Sequence, residues 1–225
     1  MGLGFAVVSV MALAVGALAL VLTAAPSRPG ASAPSPRWID PQVLGLAGVL
    51  ILTTFGHSAI YGFVPLHALA EGREDALSWF FGVYAAWLII CRALLRGVSD
   101  RVGRTRVLAP AMGAITIGYA LLALPPTVPS LALAALCLAS GGSLLYPTLI
   151  ALVVDRTPPA RRGVAIGTIS GAWDVGIVIG STVVGVVVEH AGFRAGFVSG
   201  AVVAAGGLGV FLLGERRRPG AGGWA

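Results

Sequence analysis

The chain has 225 residues, of which 57% are hydrophobic and only 11% are charged. A soluble domain carries about 25% charged residues, and the mean hydropathy of +0.92 is higher than a solvated surface permits. This composition excludes a disordered chain, an ordinary soluble enzyme and a nucleic-acid-binding domain, and it predicts an all-α polytopic membrane protein. The net charge of +6 does not indicate a nucleic-acid partner, because the arginines lie in short gaps between apolar runs.

Seven runs are long and apolar enough to cross a bilayer, which takes about 20 residues of helix. In chain order they are Leu3–Ala24, Val43–Ala70, Leu77–Leu95, Val107–Leu124, Leu131–Val154, Val164–Val188 and Gly196–Gly214. The first run has no Lys or Arg before it, which argues against a secretory signal peptide. The expected organisation is one helix over residues 1–24, a proline-rich linker over 25–41, a six-helix bundle over 42–214 and a basic tail over 215–225.

The arginines also predict the orientation of these spans. Thirteen of the fifteen fall on one side of the membrane if the spans alternate, whereas Arg73 and Arg194 fall on the other side together with four acidic residues. Cytoplasmic loops hold the excess of basic residues. We therefore expect a multi-pass protein of the plasma membrane with its N-terminus outside and its C-terminus in the cytoplasm.

The loop after the third span carries the most specific motif. Residues 96–106 read RGVSDRVGRTR, and this resembles the signature loop of the major facilitator superfamily, G-x-L-a-D-R-x-G-R-R. The matching residues are Asp100, Arg101, Gly103 and Arg104, with Gly97 one residue late. Arg96 departs from the first glycine position, and Thr105 interrupts the final basic pair. A tight turn here needs positive φ, which Gly103 supplies, and the carboxylate of Asp100 is expected to bind neighbouring guanidinium groups and hold helix ends together.

A second loop, residues 155–163, places Asp155 and Arg162 seven positions apart at the ends of two spans. This is similar to the acid–six–Arg pairing of the same superfamily. The resemblance implies a twelve-helix fold in two halves, of which this chain aligns with helices six to twelve. Residues 1–24 then correspond to helix six, and residues 25–41 correspond to the cytoplasmic linker between the halves.

The resemblance implies a secondary transporter of small molecules, without a cofactor or enzymatic activity. We expect proton coupling, efflux as the default direction, and an N-terminally truncated or split form. Its partners would be the lipid bilayer, a small-molecule substrate, and a complementary N-terminal half or a second copy. The alternative is a non-transporting remnant or an accessory subunit that pairs with another half.

Several residues inside the predicted spans are candidates for coupling or substrate binding. Asp174 is the only acidic residue deep in a span, so it is either a proton or substrate site or a structural hydrogen-bond anchor. Arg92 either pairs with a carboxylate or extends to the interface, and His57 either couples protons or packs against neighbours. The aromatic candidates for a cavity lining are Tyr61, Tyr84, Trp87, Tyr146 and Trp173.

Small residues and breakers suggest how the spans pack and bend. Glycines recur about every four residues at positions 163, 167, 171, 176, 180 and 185, and such spacing lets another helix approach closely. Pro65 and Pro147 are expected to kink their spans. Cys91 and Cys137 are expected to be small buried side chains, with neither a disulfide nor a metal site.

Overall fold

A computed structural model describes residues 39–95 and 97–216. In chain order the helices are α1 (Leu44–Thr54), a π-helix (Ala59–Phe63), α2 (Val64–Ala70), α3 (Glu74–Leu94), α4 (Val98–Val102), α5 (Arg104–Leu122), α6 (Val128–Arg156) and α7 (Arg162–Arg216). Short 3-10 turns over Pro41–Val43 and Pro159–Arg161 precede α1 and α7. The described residues contain no strand, which confirms the all-α class.

Five helical segments of the described chain are long and apolar enough to cross a membrane. The first four are Pro41–Ala70, Glu74–Leu94, Arg104–Leu122 and Val128–Arg156, and each end lies within three residues of its predicted position. The predicted span Leu3–Ala24, most of the predicted linker and the end of the basic tail lie outside the described residues.

The fifth segment, Pro159–Arg216, contains both of the last two predicted spans. Gly192 interrupts α7 with φ 81° and ψ 168°, a conformation that glycine adopts without a steric penalty. We call residues 162–191 α7a and residues 193–216 α7b. At 1.5 Å per residue they measure about 45 and 36 Å, so each is long enough to cross a bilayer. The gap between the predicted spans Val164–Val188 and Gly196–Gly214 is thus reduced to one non-helical residue.

Helix α1 packs against both parts of α7 through glycines. Gly176 of α7a lies against Thr54, and Gly180 lies against the backbone of Phe55. On α7b, Gly207 lies against Leu52 and Thr53. Because glycine has no side chain, the helix backbones approach closely at these positions. Helices α5 and α6 pack in the same way, with Gly118 against Leu138 and Gly141 against Ala111.

The span that contains α1 and α2 is not one regular helix. After α1 ends at Thr54, the chain turns and forms the π-helix Ala59–Phe63, where the N–H of Val64 donates to the carbonyl of Ala59. Pro65 follows directly and has no N–H to continue the α-helical hydrogen bonds. At Pro65, where a kink was predicted, the structure has a π-helix directly before the proline. At Pro147, where a kink was also predicted, α6 continues as one helix.

Candidate functional site

The loop with the signature motif forms the short helix α4, flanked by two glycines in left-handed conformations. Gly97 precedes the helix with φ 78°, and Gly103 follows it with φ 100°. Any other residue would be strained at either position. The two glycines allow the chain to leave α3, form one helical turn and enter α5 at once.

Arg104, at the start of α5, holds two carboxylates. Its Nε lies 2.6 Å from Oδ2 of Asp155 at the end of α6, and a terminal nitrogen lies 3.5 Å from Oδ1 of Asp100 in α4. The side chains of Asp155 and Asp100 are 52% and 66% exposed. The guanidinium of Arg104 thus joins the signature loop to the end of the neighbouring helix. Arg101, in the last turn of α4, is exposed.

The expected pairing of Asp155 with Arg162 is absent from the structure. Instead, Nε of Arg162 donates to the backbone carbonyl of Thr157 over 3.2 Å. The physical reason is that α5 and α6 are packed neighbours, so the start of α5 presents Arg104 directly to the end of α6. The spacing along the chain identified the right acid but the wrong base.

Two further ion pairs lie at the same end of the bundle, and the sequence did not indicate either of them. Arg156 at the end of α6 binds both carboxylate oxygens of Glu215 at the end of α7, over 3.1 and 3.2 Å. Arg161 donates to Oδ1 of Asp40 over 2.7 Å. The described residues therefore place arginine–carboxylate pairs at the start of α5, at the end of α6, at the end of α7, and between the 3-10 turn before α7 and the residue before the 3-10 turn Pro41–Val43.

A row of aromatic rings crosses the bundle at the level of the π-helix. The centroid distances are 5.2 Å from Tyr146 to Trp173, 5.1 Å from Trp173 to His57, 5.7 Å from His57 to Tyr61 and 6.5 Å from Tyr61 to Phe81. We call these five residues the aromatic row. They come from α6, α7a, the span of α1 and α2, and α3. The ring of Tyr61 is stacked on Phe81 and is 59% exposed.

Polar groups lie beside the aromatic row. The hydroxyl groups of Tyr146 and Ser170 are hydrogen-bonded over 2.9 Å, and Thr54 Oγ1 lies 3.5 Å from the carbonyl of Trp173. A small cavity borders the row and has room for about one water molecule. Its lining includes Thr53, Thr54, His57, Tyr119 and Trp173.

The other predicted site residues have different surroundings. Tyr84 is buried and stacks on Phe80, which contacts Phe81 of the row. The indole of Trp87 donates to Ser140 over 2.8 Å, so this residue joins α3 to α6. Arg92 is exposed in the last turn of α3 and forms no salt bridge within the described part of the chain.

Asp174 follows Trp173 directly but lies on another face of α7a. It is exposed, and no residue in the described ranges forms a hydrogen bond or ion pair with it. Phe81 and Ser170 were not among the predicted site residues. Phe81 lies three positions before Tyr84 and thus on the same face of α3, which is a pattern that could have identified it.

Comparison with known proteins agrees with this architecture. The model of a family described as the Major Facilitator Superfamily matches residues 46–223. The chain belongs to the major facilitator superfamily. The superfamily's fold is also found in a crystal structure of the peptide transporter POT, an E310Q mutant in complex with alafosfalin, which superposes with a TM-score of 0.69 at 22% identity. That match covers 81% of this chain and 40% of the peptide transporter.

Related sequences include an MFS-type transporter, an efflux pump and an export protein. An uncharacterized MFS-type transporter of Pseudomonas aeruginosa is 31% identical over 188 residues, which are 81% of this chain and 44% of the relative. The multidrug efflux pump LfrA of Mycolicibacterium smegmatis is 27% identical over 83% of this chain and 36% of the pump. The staphylopine export protein of Staphylococcus aureus is 22% identical over 68% and 39%. The chain thus spans less than half the length of these curated relatives.

Proposed function

We propose that the chain forms the C-terminal portion of a secondary transporter that exports small, partly apolar organic molecules. The observation that carries this proposal is the aromatic row. Aromatic rings offer a large apolar contact area, and their faces attract cations. Four separate spans contribute to the row, so movement between the spans would change the binding surface. The exporters among the relatives support efflux as the direction.

Asp174 is the proposed coupling residue. A carboxylate near the middle of a membrane span costs about 2.5–3.5 kcal/mol on insertion scales and is usually functional. In the described residues it has no partner that would mark it as a structural anchor. It also adjoins Trp173 in the sequence, so a proton on Asp174 would be bound close to the substrate surface. We infer that it takes up and releases a proton as water access alternates.

The remaining parts of the proposal concern assembly and orientation. Arg104, with Asp100 and Asp155, would steady one of the two access states from the cytoplasmic side. Transport by this superfamily involves rocking of two halves about a site near the bilayer midplane. We propose that the exposed face of α7a meets a complementary N-terminal half and that the purified monomer alone does not transport.

The C-terminus would be cytoplasmic, so an export-dependent reporter fused after Trp224 should be inactive.

Binding and transport assays can test the function separately. Binding of a fluorescent aromatic amine to the purified 225-residue chain should weaken about fivefold or more in Trp173→Ala, since one aromatic or cation–π contact contributes about 1 kcal/mol or more. Trp79→Ala is the matched control, because Trp79 is 59% exposed on α3 and takes no part in the row. Equal binding by both variants would contradict the assignment of the aromatic row as the substrate-binding surface.

Energised efflux should then be measured with the chain alone and with a complementary first half. Efflux that requires both halves and is lost in Trp173→Ala is the expected result. Binding without efflux in either case would instead support the alternative, a non-transporting accessory subunit.

A further inference from the structure

Asp40 lies just before Pro41–Ala70, the first span of the described chain. It is nevertheless fully buried, with 0% of its side chain exposed. Its Oδ1 accepts from the N–H of Gln42 over 2.9 Å and thereby caps the turn Pro41–Val43. The same oxygen accepts from Arg161 over 2.7 Å. Its own N–H donates to Oγ1 of Thr168 on α7a over 3.0 Å.

These three hydrogen bonds join three parts of the molecule at one residue. The bond to Gln42 fixes the start of the first span, the bond to Arg161 reaches the turn between α6 and α7, and the bond to Thr168 reaches the first turns of α7a. Arg161 is the only basic residue that forms an ion pair with Asp40 in the described part of the chain. If Arg161 lost its charge, a buried carboxylate would have no counter-charge, which is a strongly unfavourable arrangement.

We propose that Asp40 and Arg161 form a permanent positioning pair that holds the start of the first span to the α6–α7 turn in every state of the transporter. The burial of the Asp40 carboxylate, and not of its arginine, distinguishes this pair from the contacts of Arg104, since Arg161 and Arg104 are 31% and 25% exposed. Asp100 and Asp155 are at least half exposed, so water can replace Arg104 around either of them at little cost. Asp40 has no such access, so the pair at Asp40 stays closed while the exposed pairs exchange.

The neighbouring arginines 161 and 162 provide a matched comparison. Both lie in the same turn, and each change to glutamine removes one positive charge. Arg161 binds the buried carboxylate, whereas Arg162 is exposed and donates only to the carbonyl of Thr157. A difference between the two variants therefore reports the ion pair and not the local charge density.

Hydrogen–deuterium exchange of the full chain in lipid nanodiscs tests the anchor without any transport assay. In Arg161→Gln, exchange of the peptide that contains Gln42 should rise by about tenfold or more, because the capping oxygen loses its second partner. In Arg162→Gln it should stay within about twofold. Arg161→Lys keeps the charge and should restore most of the protection. Equal exchange in Arg161→Gln and Arg162→Gln would overturn the proposal.

Whether the Asp40–Arg161 pair stays closed during transport is tested in an assembly that transports, so this experiment rests on the proposed function. Cysteines at positions 39 and 160, the exposed sequence neighbours of Asp40 and Arg161, keep the pair intact. When they are joined by a short bis-maleimide in a background without Cys91 and Cys137, export should stay at half or more of the uncrosslinked rate. Loss of export only after crosslinking would mean that the contact opens during transport, and it would overturn permanence. Absence of export before crosslinking would contradict the proposed function, while the exchange experiment would still decide the anchor.

Discussion

The two faces of α7a contain the same residue type at the same spacing but have opposite surroundings. On the contact face, Gly176 and Gly180 lie directly against α1. On the exposed face, Gly163, Gly167 and Gly171 have no atom within 4 Å of the position that a Cβ would occupy. Small-residue spacing therefore shows where a helix can be approached, but it does not show which face is already occupied.

The exposed face also carries Asp174, whereas Gly176 and Gly180 on the contact face are buried. We therefore expect the two faces of α7a to have different roles, one in stability and one in transport or assembly. The contact face fixes α7a to α1, and its substitution should affect stability. At Gly163, Gly167 and Gly171 the exposed face has no described neighbour within 4 Å of the Cβ position, and substitution on this part of the face should affect transport or assembly.

The largest expected effect is on the contact face. In Gly180→Ala the new methyl group would overlap the backbone carbonyl of Phe55, which cannot move without shifting α1. Overpacking of this kind costs about 1–3 kcal/mol. Thermal unfolding of the purified chain in detergent should therefore begin at a lower temperature.

Gly171→Ala is the control for this prediction. The methyl group meets no atom within 4 Å, and alanine is the better helix former by about 1 kcal/mol. Its melting temperature should be unchanged or slightly higher. If both alanine variants unfold at the same lower temperature, the two faces do not differ as the structure indicates.

The second prediction concerns function on the exposed face. Asp174→Asn should leave the melting temperature of the chain nearly unchanged, because the carboxylate has no partner among the described residues. In a complete two-half transporter, gradient-driven export should fall by about tenfold or more, since an amide cannot carry the proton. Substrate exchange without a gradient should persist. Full gradient-driven export by the variant would show that Asp174 is a structural anchor.

Much of the fold follows from local properties of the sequence. The ends of four spans were predicted within three residues, because hydropathy and breaker residues act locally. Asp40 was placed in the linker, although an Asp before a Pro is a typical start of a helical turn. That pattern could have moved the boundary by a residue, but the ion pair with Arg161 could not have been predicted, because it depends on packing between distant segments.

The candidate site shows the same division. Tyr61, Tyr146 and Trp173 were predicted as candidate cavity-lining residues from residue type and span, and the structure places all three in the aromatic row. Phe81 joins the row through its stacking on Tyr61, which depends on the packing of two spans. The partner of Asp155 was predicted from spacing along the chain and was wrong. The correct partner, Arg104, is 51 positions away and is selected by the antiparallel contact between α5 and α6.

The smallest expected effects are at Arg104, which binds two carboxylates that differ in distance and in exposure. Asp155 lies at 2.6 Å and joins two long helices, whereas Asp100 lies at 3.5 Å within the loop and is more exposed. Exposed pairs contribute about 0.2–1 kcal/mol. Asp155→Asn should fall near the upper end of this range and Asp100→Asn near the lower end.

Thermal unfolding at low and high salt can resolve this difference. The gap between the two variants should narrow at high salt, because exposed charges are screened. In the complete transporter, Asp100→Asn should still shift the balance between inward-open and outward-open states, measured by labelling of cysteines on either side, while substrate affinity stays the same. A change in affinity without a shift in labelling would place Asp100 in the substrate site and contradict its assignment to the loop contact.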